Sequence, residues 1–215
     1  QHLLRAQAEG TPVVAINREL PAESTLSQVQ FDNFRGAYLA TKHLIELGHR
    51  RIAHLSHSLN RFTAISRRAG YTAALHEAGL ADDPALVETS EYSFESGYRA
   101  TMSLLGRQPS ALFVASDLLA MSALRALRDA GYQVPRDLSL VAFGCPDYVR
   151  YSTPALTTID LPIAEAGATA VGLLLERIAD PEAPAQTRVL QPSLLVRETT
   201  GPPQPREAET EQARS

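Results

Sequence analysis

Arg61, Thr63 and Arg67 fall close together in "RFTAISR", just beyond the apolar run "RIAHLS". An arginine offers a planar fork of N–H donors that matches hydroxyl pairs, carboxylates or phosphates, and Thr63 adds a hydroxyl. Tyr92, in "EYSFESG", supplies a flat face for a sugar or base ring. Ser116 and Asp117 follow "ALFVA", and Gly144, Cys145, Pro146 and Asp147 follow "LSLVAF". Donors, carboxylates and a ring face are the chemistry of binding. Each residue also has a plainer reading: Arg67 as a solvated helix charge, Tyr92 as core filling, Ser116 and Asp117 as helix caps. What separates the readings is whether the fold brings these residues to one edge.

Catalytic motifs are absent. The sequence has no GxxxxGK[ST] loop, no GxGxxG after a strand, no GxSxG elbow and no HExxH. His54 and His57 lie on a strand and its exit, where a spacing of three puts them on opposite faces, and no third metal ligand accompanies them. Cys145 reads as a small apolar residue just past a strand. The triplet His49-Arg50-Arg51 follows a helix end, where cations suit the negative end of the dipole and can bond the last carbonyls. It reads as a junction and not as a grip on nucleic acid. Neither an enzymatic role nor a cofactor is expected.

The elements that must position these residues alternate. "PVVAI" is a buried-type strand, and Asp32 and Asn33 can cap a helix through "FRGAYLATKHLIEL", stopped by Gly48. "RIAHLS" is the next strand, followed by a helix from about Ala64 to Gly79. A strand near Leu86 to Thr89 and a helix near Glu95 to Leu105 come next. "ALFVAS" leads into "DLLAMSALRALRDAG", and "LSLVAF" follows Pro135. "LTTIDL" precedes a helix from about Pro162 to Ala179, and "VLQPSLLVRE" is a last strand whose Pro192 favours an edge or a bulge. Repeated strand–helix units predict an α/β fold, parallel sheets with helices on both faces. In such sheets ligands sit beyond the C-terminal strand ends, where the candidate residues fall. "LTTIDL" and "VLQPSLLVRE" suit a chain that crosses between two lobes.

Composition narrows the function classes. A net charge of −4 with Lys and Arg spread along the chain argues against a DNA-gripping face within these residues. No apolar run approaches a membrane span. One cysteine excludes an internal disulfide framework and suits a reducing cytoplasm. The N-terminus lacks an initiator Met and a signal-type segment, and reads as a chain entered partway. The tail from Gly201, proline-rich and charged, is expected to be disordered.

The segments "GHRRIAHL", "RRAGYTAALHEAGL", "SGYRA", "ALFVASDLLAMSALRALRDAGYQVPRDLSLVAF" and "TPALTTIDLP" resemble the effector-binding core of LacI-type transcriptional regulators, in order and at matching spacing from about Thr11 to Thr199. The resemblance implies a two-lobed periplasmic-binding-protein-like fold of type I with an incomplete N-terminal lobe. Residues 1–51 and 160–187 would form that lobe, and 52–159 with 188–200 the C-terminal lobe. It implies a small-molecule effector, sugar or nucleoside/purine-like, in the interlobe cleft, a homodimer, and DNA contact only through an N-terminal helix-turn-helix absent from this chain. A sugar-binding protein of a transport system is the alternative on the same fold. Arg67 stands where the family has its effector-contacting arginine, and Arg61 with Thr63 resembles the polar pair of the purine-repressor branch. Tyr92 occupies the aromatic position that packs on ligand, and Ser116 replaces a common Asn before Asp117. The family pattern G-[FY]-D-[DN] is broken at Gly144 and Cys145, which leaves Asp147, three residues on, as the candidate substitute.

Overall fold

The computed structural model describes residues 5–7, 9–21, 23–58, 61–144 and 147–204. In chain order the first elements are β1 (Val14–Ile16), β2 (Ser27–Phe31), α1 (Asn33–Glu46), β3 (Ile52–His57), α2 (Phe62–Glu77), β4 (Val87–Ser90) and α3 (Phe94–Leu105). Then come β5 (Ala111–Val114), α4 (Asp117–Asp129), β6 (Ser139–Phe143), β7 (Thr157–Asp160), α5 (Ile163–Ala179), β8 (Thr187–Leu190) and β9 (Ser193–Leu195). They form two compact units: Gln1–Asp32 with Leu161–Pro192, and Asn33–Asp160 with Ser193–Ser215.

The smaller unit holds a parallel three-stranded sheet in the order β1-β2-β8. Val29 and Phe31 point to one face and pack with Ala166, Ala170 and Leu173 of α5. Gln28 and Gln30 alternate with them, the period of a strand with one buried face.

The larger unit carries a six-stranded sheet, β4-β3-β5-β6-β7-β9, parallel except for β9. β5 and β6 lie at its centre and are buried along their whole length, which is why "ALFV" and "SLVAF" read as continuous runs. Alternation sorts their residues. Ala53, Leu55, Leu112, Val114, Leu140 and Ala142 join Leu104, Leu119 and Leu127 of α3 and α4 in one core. On the opposite face of the same strands, His54 stacks with Phe113 and with Tyr71 of α2, whose hydroxyl donates to the Ile52 carbonyl at 2.8 Å. α2 in turn lies against α1 through Gly70. A Cβ there would stand 2.1 Å from the Phe34 carbonyl oxygen, so only glycine permits this approach.

Several expectations are corrected. The lobe boundary expected after residue 51 falls between 32 and 33, because α1 packs on α2 and the larger sheet. Residues 188–192 belong to the smaller unit, where β8 pairs with β2. "VLQPSLLVRE" is two strands, since Pro192 lacks an N–H and ends the first; β9 then pairs antiparallel with β7 in the other sheet. β2 was not anticipated. The expected disordered tail does not begin at Gly201: its carbonyl accepts from His49 Nε2 and Ser139 Oγ, both at 2.9 Å, and its N–H donates to Ser139 Oγ at 3.0 Å. Residues 205–215 of that tail lie outside the described residues.

The His49-Arg50-Arg51 triplet is a junction: the His49 N–H donates to the Leu44 carbonyl of α1 at 3.1 Å, while the His49 and Arg51 side chains bond other segments. His49 is 1% exposed and bridges Ser110 and Gly201. Arg51 bonds the carbonyls of Arg107 and Gln108 just past α3, at 2.7 and 3.4 Å. Arg50 is exposed.

Candidate functional site

At the C-terminal ends of β3 and β4 the larger unit opens into a cavity of about 360 Å³. His57 and Ser58 line it from the exit of β3, Arg61 and Thr63 from the start of α2, and Ser90, Glu91 and Tyr92 from the end of β4 and the turn after it. Three residues singled out in the sequence, Arg61, Thr63 and Tyr92, thus share one hollow. Tyr92 is 60% exposed, so core filling is not its role. Its ring meets His57 edge-on, with centroids 6.2 Å apart. Burial lowers the His57 pKa, and the positive charges of Arg67 and Arg61 lower it further, so the ring is neutral near neutral pH. His57, Ser58, Ser90 and Glu91 were missed as lining residues. Their common signal is position, the last residue of a parallel strand or the loop after it.

Arg67 comes from the second turn of α2 and is buried, 7% exposed. Nε donates to Asn33 Oδ1 at 2.9 Å and Nη1 to the Ala115 carbonyl at 2.6 Å. The guanidinium lies 3.7 Å over the Phe143 ring. Burial drops its pKa to about 10, opposed by the negative charge of Asp117 and by Tyr92, so it stays charged at neutral pH. That shift corresponds to roughly 3 kcal/mol of uncompensated burial. Among the described residues Nη2 has no hydrogen-bond partner. The arrangement is a fixed cation with donor capacity in reserve, within electrostatic reach of Asp117 and Tyr92.

Ser116 caps α4: its Oγ accepts from the Leu119 N–H at 3.3 Å, the cap foreseen in the sequence. Asp117, the first residue of the helix, accepts a hydrogen bond from the Tyr148 hydroxyl. Burial and this carboxylate hold the Tyr148 phenol protonated well above its usual range, and the same two causes raise Tyr92. Asp147, the candidate substitute for the missing acid, does not join the group. Its side chain is 89% exposed and pairs with Arg150 at 3.5 Å, because the short helical turn Asp147–Tyr151 directs the next residue toward Asp117 instead. Tyr148, the neighbour of Asp147, contacts Asp117 instead. Gly144 has φ of +100° and faces Asp117, while Cys145 and Pro146 lie outside the described residues. Among the described residues no group of three His, Cys, Asp or Glu is placed to hold a metal ion.

A parallel sheet that delivers donors, a carboxylate and ring faces from the exits of β3, β4, β5 and β6 is the arrangement of an α/β domain of the periplasmic-binding-protein-like class. Residues 41–200 match the family model described as "Periplasmic binding protein-like domain". A LacI-family transcriptional regulator from Enterococcus faecium, solved with bound ribose, superposes with a TM-score of 0.87 at 32% identity, covering 93% of this chain and 74% of that one. A complex of the transcriptional regulator CelR with cellobiose gives 0.84 at 34% identity, covering 90% and 60%. In sequence, the ribose operon repressor of Haemophilus influenzae is 40% identical over 166 residues, 76% of this chain and 50% of the repressor. The chain belongs to the LacI family of transcriptional regulators, within the effector-binding, periplasmic-binding-protein-like domain. It spans about half the length of the curated relatives it matches. Those relatives are regulators and not transport proteins, so the transport alternative is not favoured. No helix among the described residues is long and apolar enough to cross a membrane.

Proposed function

We propose that the chain is the effector-sensing portion of a LacI-type DNA-binding regulator, which binds a sugar or a nucleoside/purine-like molecule at the rim built from Arg61, Thr63, Arg67, Tyr92, Ser116 and Asp117. The observation that carries this reading is Arg67, a charged guanidinium kept buried by Asn33, Ala115 and Phe143 and facing Asp117 and Tyr92. A cation fixed in this way is preorganised to meet hydroxyl, carbonyl or anionic groups of a ligand with little loss of side-chain freedom. The rim performs no bond-making step in this proposal; its output is a change of conformational population. An effector that binds one arrangement of the regulator better than another shifts the equilibrium by that difference in affinity. In a cytoplasmic homodimer carrying helix-turn-helix headpieces, a coupling of about 1–3 kcal/mol would change operator affinity by about 5–150-fold.

The test is a thermal-shift and calorimetric panel of D-ribose, cellobiose, adenosine and hypoxanthine against the purified chain. The reading expects at least one of them to raise the melting temperature and to bind saturably at one site. Failure of every sugar, nucleoside and purine tried would remove the assigned ligand classes.

A further inference from the structure

A second hollow of about 480 Å³ adjoins the first, bordered by Ser58, Thr89, Ser90, Glu91, Ser96 and Arg99. The two meet along Ser58, Ser90 and Glu91, which line both. Each volume falls in the range of small-molecule sites, about 300–1,000 Å³. The shared border is held in place. The Glu91 N–H donates to Ser96 Oγ at 3.0 Å, and the Ser90 hydroxyl donates to the Glu91 carbonyl at 3.1 Å. Ser96 is fixed in turn, because its N–H donates to the Ser93 cap of α3 at 3.2 Å. The walls differ in chemistry. Tyr92 gives the first hollow a ring face, steadied by Asp117 within hydrogen-bonding reach of its hydroxyl. Among the described residues the second hollow has no aromatic lining; it offers hydroxyls from Thr89, Ser90 and Ser96, the Glu91 carboxylate and the Arg99 guanidinium.

Hydroxyls that both donate and accept, beside one acid and one guanidinium, match the hydroxyls of a sugar. The Arg99 side chain is 72% exposed and pairs with Glu95 only loosely, at 3.6 Å, so little holds it back from a ligand. A phosphate there would be repelled by Glu91, which borders both hollows, so a neutral unit suits the second hollow better. Tyr92 stands three residues beyond Thr89, at most about 11 Å along the chain, a distance that two directly linked rings cover. A single ring would fill one hollow and leave the other to water. Resting on the effector-site reading above, we propose that the effector is a glycoside: one ring lies on Tyr92, and the sugar linked to it occupies the second hollow against Thr89, Ser96 and Arg99.

The experiment titrates three matched pairs into the purified chain by calorimetry: cellobiose with D-glucose, adenosine with adenine, and inosine with hypoxanthine. In at least one pair the glycoside is expected to bind at least about tenfold tighter than its one-ring fragment, the equivalent of one added hydrogen bond to a charged group. The pair that responds tells whether the ring on Tyr92 is a sugar or a purine. T89V/R99A removes a hydroxyl and a guanidinium that line the second hollow and not the first. Both side chains are exposed. The double variant should bring the glycoside down to the affinity of its fragment and leave the fragment within about twofold, a split that a general loss of structure would not produce. R99A alone, at an exposed helix position, should act in the same direction with a smaller loss. A preference below about tenfold in every pair overturns the proposal, as does a preference that T89V/R99A leaves intact. If a fragment or D-ribose binds and no glycoside binds better, the sensing function stands and this inference fails. If no compound binds, both fall.

Discussion

His54 makes the larger unit sensitive to acid, and replacing it should remove much of that sensitivity. The ring is fully buried between Tyr71 and Phe113, at centroid distances of 5.0 and 4.9 Å. Nδ1 lies 3.2 Å from the Phe113 carbonyl, which can only accept, so Nδ1 carries the proton and donates. Nε2 is then an unprotonated nitrogen, buried with no hydrogen-bond partner among the described residues. A second proton would place an unsolvated charge there, with Arg68 and Arg67 nearby to oppose it. Burial is the larger cause, and together these lower the His54 pKa from 6.5 to about 3. The folded value is depressed, so between these limits the unfolded chain binds a proton that the folded chain refuses. Stability is therefore complete above about pH 6.5 and falls as pH drops toward about 3. At about pH 4.5 the difference of two units amounts to about 3 kcal/mol. His54→Phe keeps a ring between Tyr71 and Phe113 and cannot titrate. Near neutrality it should cost no more than about 1–2 kcal/mol, from a lost hydrogen bond and a slightly larger ring. Urea unfolding followed by far-ultraviolet circular dichroism, at about pH 7.5 and about pH 4.5, measures both proteins. The variant should lose about 3 kcal/mol less than the wild type on acidification. Equal losses in the two proteins would refute the buried-neutral account of His54.

Gly70→Ala should destabilise the larger unit by about 3 kcal/mol, read as a lowered urea midpoint with unchanged slope, because the methyl would collide with the Phe34 backbone. Asp147→Asn should leave the affinity for any effector within about twofold in a calorimetric titration, since the side chain faces solvent and pairs only with Arg150 among the described residues.

The fold was legible wherever a strand is buried on both faces. "ALFV" and "SLVAF" announce themselves because both neighbours are helices, and Ser116 announces α4 because a serine before an apolar-periodic run has one obvious use. β2 was not legible: "SQVQF" buries Ser27, Val29 and Phe31, of which only two are apolar, and its serine and glutamines disguise a short alternating strand as a loop. The boundary between the units was misplaced because α1 carries an ordinary amphipathic pattern, which does not say which sheet receives it. At the site, position along the chain identified Arg61, Thr63 and Tyr92, since parallel strands deliver their exits to one edge. Which residue of the loop after β6 turns inward depends on the local turn, and there Tyr148 displaced Asp147. Nothing in residue type alone separates two adjacent polar side chains on a helical turn.

The central claim is that the rim around Arg67 holds a small molecule, and calorimetric titration of Arg67→Met with a panel ligand that binds the wild type tests it most directly. Methionine preserves an apolar stem over Phe143 and removes the donors and the charge. An affinity at least about tenfold weaker, in a protein that still unfolds cooperatively, is the predicted result, since each hydrogen bond from a charged donor is worth about 1.5–3 kcal/mol. An unchanged dissociation constant would place the ligand elsewhere and contradict the account.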